Sequence, residues 1–341
     1  MNFLQILMTA LEAVTPIILL ILLGYLLRQK GFLSEDFLRV SNKLVFKLML
    51  PCMLFLNIYK IDSLSGIHWD TALYVLVAIL AIFCLSLCSA IATTPVPQRR
   101  GVILQCCFRS NFVIIGLPLA ASLGGAEAEA VAAVLSAVSI PLFNVLAVIS
   151  LSVFVNQKDS FGSSLKHIAH DIITNPLIVA VFLAVGCLVL RWAQAECLGR
   201  VVFRLDDQTA FLFDAVSTLK NGTTPLALMV LGGQFTFSAV KELKKEIIVA
   251  TLWRVVLSPI IGIGGAVALT KLSLLHCTGA DYPALVALFG SPVAVSSAIM
   301  AKGMGNDEQL ATQLVVWTTL CSGVTVFLTV CVLMAFGLIL P

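Results

Sequence analysis

The sequence predicts an all-α integral membrane protein of ten transmembrane helices, arranged as two inverted five-helix repeats whose fourth and ninth helices are broken. Three observations carry that expectation. Of the 341 residues, 60% are hydrophobic and 11% charged, with a mean hydropathy of +1.04, far from the soluble range of about 45–50% apolar and 25% charged. Predominantly apolar stretches of membrane length, roughly 20 residues each, recur along the whole chain with short connections, so no soluble domain is expected. Two of them, 102–122 and 284–301, carry polar or backbone-breaking residues near their middles, one in each half.

Spans 1 and 2 cover 13–28 and 40–59 and carry Pro16 and Pro51. Met1 to Ala10 lacks a basic segment and the first apolar run continues into Arg28 and Lys30, so span 1 reads as retained rather than as a cleaved signal. Span 3 covers 71–94, and span 4 (102–122) is interrupted by Arg109-Ser110-Asn111, Gly116 and Pro118. Span 5 (131–155) follows the turn Gly124-Gly125-Ala126-Glu127, with Glu127 and Glu129 near its N-terminus, where carboxylates suit the helix dipole. Spans 6 (173–192) and 7 (209–235) carry Pro176 and Pro225, matching Pro16 and Pro51. Spans 8 (247–270), 9 (283–301) and 10 (311–339) complete the second unit, with span 9 broken at Gly290-Ser291-Pro292. The units divide at 1–156 and 157–341. Adding 182 to a position carries Ser110-Asn111 onto Pro292-Val293 and the 124–127 turn onto Asn306-Asp307-Glu308-Gln309. Five helices per unit, an odd number, force the second to be inverted.

Loop charges set the orientation. Arg28, Lys30, Arg39, Lys43, Arg99, Arg100, Lys158, Lys166, Lys241, Lys244, Lys245 and Lys302 fall on one side, against Lys60, Arg191, Arg200, Arg204 and Lys271 on the other. The richer side is expected in the cytoplasm, with both termini outside, in the cytoplasmic membrane. That rim accounts for the net charge of +3 and implies no nucleic-acid partner. Eight of the ten cysteines fall inside apolar spans, where a thiol acts as a small hydrophobe; only Cys197 and Cys277 lie in outer loops, where a disulfide is open to them.

Lipid offers no water to satisfy freed N–H and C=O groups, so a mid-membrane break needs surrounding protein or a polar cavity. Paired interrupted helices in two halves mark the binding site of a secondary carrier, with half-helix N-termini turned to the substrate. Their partial positive charge suits a carboxylate. The site is therefore read at Arg109, Ser110, Asn111, Pro292 and Ser296, with Ser139, Thr318 and Ser322 as further lining residues. Asn111 can donate its amide to an anion, or serve as an interhelical hydrogen bond. Pro118 and Pro292 read as helix breaks, or as plain kinks.

These segments resemble the auxin efflux carrier family, within the bile-acid, arsenite and riboflavin transporter superfamily, whose members include plant PIN-FORMED proteins and bacterial organic-acid permeases. Gly24-Tyr25…Arg28-Gln29-Lys30-Gly31, Ser41-Asn42-Lys43…Leu50-Pro51, Asn111…Gly116-Leu117-Pro118 and Pro292…Ser296…Ala301-Lys302 carry the resemblance, which covers nearly the whole chain. It implies fourth and ninth helices crossing at unwound centres, and an elevator-like movement of transport helices 3–5 and 8–10 against scaffold helices 1, 2, 6 and 7. The family's substrate-contacting asparagine falls on Asn111 and its crossover proline on Pro292. Ser110 stands where plant members tend to have Pro, and Phe112-Val113 where many bacterial members have Thr-Gly. The long hydrophilic loop of the plant carriers is missing here.

Arg109 lies nine residues after Arg100, about 13 Å deeper on a helix, and an intramembrane charge is a functional hypothesis by default. Lys220 is similarly deep in span 7. Lys47 and Arg254 lie within about two turns of the rim, where long stems reach the headgroups, and are read as surface anchors. The comparably placed acids are Asp214 and, near the outer edge, Asp281. Asp214 is a candidate protonation switch, or the partner of Arg109 in an ion pair. This positive interior favours an anion over a hard cation, which prefers clustered carboxylates. His167, His170 and Asp171 form no complete metal set, and no phosphate loop, HExxH or nucleophile elbow occurs. A non-enzymatic carrier of a small mono- or dicarboxylate or auxin-like acid, without cofactor, is expected; a homodimer is left open. The rivals are a sodium-coupled symporter of the bile-acid type and a receptor that binds the anion without moving it.

Overall fold

The computed structural model describes residues 3–59, 69–155, 174–277 and 279–339, with side chains from Thr15 onward. Lys60, Lys158, Lys166, His167, His170, Asp171 and the junction of the two repeats lie outside the described residues. Among the described residues the regular structure is helical, apart from one β-bridge. The helices are α1 (Phe3–Gln29), α2 (Glu35–Tyr59), α3 (Trp69–Thr93), α4 (Pro97–Phe108), α5 (Phe112–Val153), α6 (Pro176–Leu198) and α7 (Leu205–Gln208). They continue as α8 (Ala210–Gln234), α9 (Ser238–Glu242), α10 (Lys244–Lys271), α11 (Asp281–Gly290), α12 (Ser296–Gly303) and α13 (Glu308–Ala335). Side chains cap several starts: Ser34 Oγ accepts from the Phe37 N–H, Asn175 from Leu177, and Asp307 from Leu310.

Six helices, α2, α3, α5, α6, α10 and α13, are long and apolar enough to cross a membrane. Exposed Leu73, Val77 and Leu80 on α3, Phe182, Leu183 and Leu190 on α6, and Val324, Leu328 and Val332 on α13 form lipid-compatible faces. Such contiguous apolar surface is rare on a soluble monomer. The chain is a multi-pass membrane protein.

Prolines shape the helices. Within α2, α5 and α10 the ladder widens to i→i+5 at Val45–Met49, Phe112–Gly116, Trp253–Leu257 and Ile260–Gly264. Each stretch stands beside Pro51, Pro118 or Pro259, whose missing N–H disturbs the regular pattern. Tyr74 from α3 donates to the Gly262 carbonyl at 2.6 Å, supporting one such stretch. α5 turns at Gly125, where φ is +67° and ψ −160°; glycine adopts this backbone without the strain of a Cβ. The turn read at 124–127 is therefore present.

α1 packs on α8, α2 on α6 and α8, α4 on α3 and α5, α11 on α5, and α13 on α10 and α12. The α1–α8 contact is backbone to backbone: a Cβ at Gly24 would overlap the Met229 carbonyl, and one at Gly232 the Ile21 carbonyl. Such reciprocal small residues let membrane helices approach closely. The 124–127 turn and the corresponding 306–309 turn lie at opposite ends. Gly124 abuts Pro283 at the start of α11, whereas Asn306 Nδ2 donates to the Leu151 carbonyl at the far end of α5. At that far end Arg99 bonds Asp307, Glu246 and Glu242 at 2.9, 3.3 and 3.1 Å, tying α4, α9, α10 and the turn before α13 together. These carboxylates hold the Arg99 pKa above its ordinary value against the opposing pull of desolvation.

Candidate functional site

Two helices end in mid-protein and restart a few residues later. α4 stops at Phe108 and Arg109 is extended, with φ −80° and ψ 116°. α11 stops at Gly290 and Ser291 is extended, with φ −63° and ψ 149°, as expected of a residue that precedes proline. The unwound stretches run antiparallel: Ser110 bridges Val293, and the Asn111 N–H donates to the Pro292 carbonyl at 2.8 Å. Thr318 Oγ1 on α13 takes the Val293 N–H at 3.2 Å. The freed main-chain groups are thus met within protein, as lipid requires. Adding 182 carries the pair Ser110/Val293 onto Pro292/Asn111, so the pairing maps onto itself.

The helix ends sort to two faces. On one, the N-terminal residues of α5 (112–114) and the approach to α12 (294–296) border a cavity of about 60 Å³, room for a few waters. Leu50, Met53, Leu54 and Asn57 of α2 and Thr223, Thr224 and Ala227 of α8 close it opposite. Arg109, Ser110, Asn111, Asn144 and Ser296 supply its polar wall. Arg109 is 3% exposed; its Nη2 donates to Asn144 Oδ1 at 3.0 Å and Ser296 Oγ at 2.9 Å, and its Nη1 to Met300 Sδ. Asn144 Nδ2 donates to the Ile140 carbonyl, turning Oδ1 toward Arg109. Ser110 Oγ and Asn111 Nδ2 are buried and have no hydrogen-bond partner among the described residues. The arrangement offers a cation and an amide donor, ringed among the described residues by neutral acceptors.

On the other face the C-termini of α4 and α11 converge on Arg254, which is fully buried. Nε donates to the Ser291 carbonyl at 2.9 Å, Nη1 to Phe108 at 3.1 Å and Cys107 at 3.5 Å, and Nη2 to Leu288 at 3.1 Å and Phe289 at 2.9 Å. The surface-anchor reading of Arg254 is thus corrected: it lies on the inward face of α10, and five carbonyls hold its head. Lys47, by contrast, is exposed, as an anchor should be.

The structure brings Arg109, Ser110, Asn111 and Ser296 together at the cavity. It does not bring Ser139, Thr318 or Ser322 there. Ser139 is fully buried within α5, Thr318 holds the crossover, and Ser322 donates to the Thr319 carbonyl. Pro292 serves through its carbonyl. The Arg109–Asp214 pair does not form, which corrects that alternative. Asp214 is exposed in the second turn of α8, and Thr223 at cavity level is nine residues on, about 13 Å along the helix. Lys220 is half-buried and does not line the cavity. Cys197 and Cys277 are both free thiols, so no disulfide joins them. Sequence reasoning missed Asn144, Asn57 and Thr223; the isolated Asn144 beside Pro141 in an apolar span was the available signal.

A family model described as membrane transport protein matches residues 9–158 and 145–330. An uncharacterized transporter of Methanocaldococcus jannaschii is 23% identical over 315 residues, covering 92% of this chain and 95% of that protein. With broken helices, a polar cavity at their restart and this match across both halves, the chain belongs to the membrane transport protein family, which includes the auxin efflux carriers.

Proposed function

We propose that this transporter is a secondary carrier for a small organic anion, a mono- or dicarboxylate or auxin-like acid, held by Arg109 and Asn111 at the crossover cavity. The observation that carries the reading is Arg109 itself. It is a buried guanidinium that touches only neutral groups among the described residues, and a buried charge is stable only when compensated. A bound carboxylate supplies that compensation, and Asn111 Nδ2 adds a donor. The N-terminal ends of α5 and α12 on the same face favour negative charge. Asn144 and Ser296 hold the guanidinium until a ligand oxygen takes over.

The helices pair off into ten spans in two inverted units, 1–156 and 157–341, if α4 with the first part of α5, and α11 with α12, each count as one. The 182-residue offset that returns the crossover pairing onto itself supports this reading. The cavity lies between α2 and α8 on one side and the broken helices on the other. An elevator movement of spans 3–5 and 8–10 against spans 1, 2, 6 and 7 would then carry the anion through the cytoplasmic membrane. The close glycine contact of α1 and α8 supports a rigid scaffold in that scheme. Both termini are expected outside, and a homodimer is compatible.

Two experiments test this. Proteoliposomes with purified protein should accumulate a labelled carboxylate identified by thermal-shift screening at two sodium concentrations and two pH values; binding without accumulation would favour a receptor, and strict sodium dependence the bile-acid type of symport. Cysteines introduced at Ala126 and Gln309, both exposed, should label from opposite sides of the membrane. Same-side labelling ends the inverted ten-span scheme.

A further inference from the structure

We infer that Arg254 is a tethered cation filling a carbonyl cage that would otherwise bind a free monovalent cation. The last four carbonyls of a helix have no partner within it and carry its partial negative charge. Two such ends, from α4 and α11, meet at one point deep in the protein. Five carbonyl oxygens, of Cys107, Phe108, Leu288, Phe289 and Ser291, converge there at 2.9–3.5 Å from the guanidinium nitrogens. Ser258, one turn on from Arg254, donates to the Cys107 carbonyl at 2.9 Å and fixes the cage wall. Converging main-chain carbonyls are also what replaces the water shell of a bare alkali ion. Arginine fits this place because its charge is permanent and its five donors form a fixed fork; here those donors meet five acceptors.

The cage is therefore permanently occupied by a charge that cannot leave. No dissociable sodium or potassium ion shares it, so a gradient of those ions is not coupled through this point. This last consequence rests on the carrier reading; the cage itself does not. In the same way, truncating Arg254 does not abolish the site but vacates it for a small cation of matching shape.

The test is thermal unfolding of the purified full-length protein in detergent, without any flux measurement, so that its failure leaves the carrier reading untouched. Arg254→Ala should melt well below the wild type, and millimolar guanidinium should raise its melting temperature in a saturable manner, as a ligand of the folded state does. The wild type should gain nothing from the same salt. Arg254→Lys, which keeps a tethered charge, should melt above the neutral Arg254→Met. Equal response of wild type and Arg254→Ala to guanidinium overturns the inference, as does Arg254→Met at or above Arg254→Lys. If Arg254→Ala cannot be purified, the order of the Lys and Met variants decides, recovery of folded protein counting in place of a melting point; recovery of neither overturns the inference.

Discussion

Arg109 and Arg254 are both buried at the same crossover and both are held by neutral groups, yet their partners differ in kind. Arg254 bonds main-chain carbonyls that two helices hold in place. Arg109 bonds Asn144, Ser296 and Met300 through side-chain atoms, each able to rotate away. The first pattern has nothing to exchange with a ligand. The second does, and it lies on the face with the cavity and the helix N-termini. The difference teaches that burial and depth alone do not mark a functional charge; the replaceability of its partners does.

The largest effect expected from this contrast is on folding. Arg254→Gln should lower stability by several kcal/mol, because buried carbonyls are left with neither water nor donor, at a cost of about 1–3 kcal/mol for each unsatisfied group. That is a large part of a usual stability of about 5–15 kcal/mol, so the melting temperature and the yield of monodisperse protein should both fall. A variant with wild-type melting behaviour would break the contrast at its stronger end.

Arg109→Gln should act on the ligand instead. Hydrogen bonds to charged groups contribute about 1.5–3 kcal/mol, which at about 1.4 kcal/mol per decade is a roughly tenfold to hundredfold loss of carboxylate affinity. The melting temperature without ligand should change far less than for Arg254→Gln, because Gln can still meet Asn144 and Ser296. Asp214→Asn should alter neither, since Asp214 is exposed in the second turn of α8. Equilibrium binding and unliganded melting curves, measured on the same preparations, separate the two outcomes.

Much of this was legible in the sequence. Arg109-Ser110-Asn111 and Ser291-Pro292 announce themselves because polar residues and a proline in the middle of apolar runs have few other uses in lipid, and the 182-residue offset matches the two breaks in the sequence itself. Arg254 differs from the expected surface anchor because depth along a helix does not say which face a side chain occupies. Ser258 stands four residues on, on the same helical face, and that polar pair in an otherwise apolar run was the clue to an inward direction. Thr318 and Ser322 lie away from the cavity because a small hydroxyl in a membrane helix often bonds its own main chain, as both do, whereas Ser139 is fully buried within α5. Asn57 and Thr223 lie on α2 and α8, helices without a break, and only the packing of those two against the crossover brings them to the cavity.

Asn111→Ala should weaken binding by about tenfold, consistent with loss of one donor to a charged ligand, with little change in melting temperature, because Asn111 Nδ2 has no hydrogen-bond partner among the described residues. A marked loss of folded protein instead would return Asn111 to the role of interhelical bond.

The smallest effect distinguishes holding from binding. Ser296 Oγ accepts from Arg109 at 2.9 Å, and if its role is to hold the guanidinium in wait, a ligand oxygen replaces it on binding. Removing the hydroxyl then has two opposed consequences: Arg109 is less well oriented, but it also gives up one bond fewer when the ligand arrives. A single hydrogen bond nets about 0.5–1.5 kcal/mol, and the partial cancellation puts Ser296→Ala at the lower end, roughly a twofold to threefold loss of affinity. Asn144 Oδ1 remains on the same nitrogen at 3.0 Å, so the guanidinium keeps its direction. A loss as large as that of Arg109→Gln would mean that Ser296 itself touches the ligand, which would extend the replaceable set from the arginine to the first turn of α12.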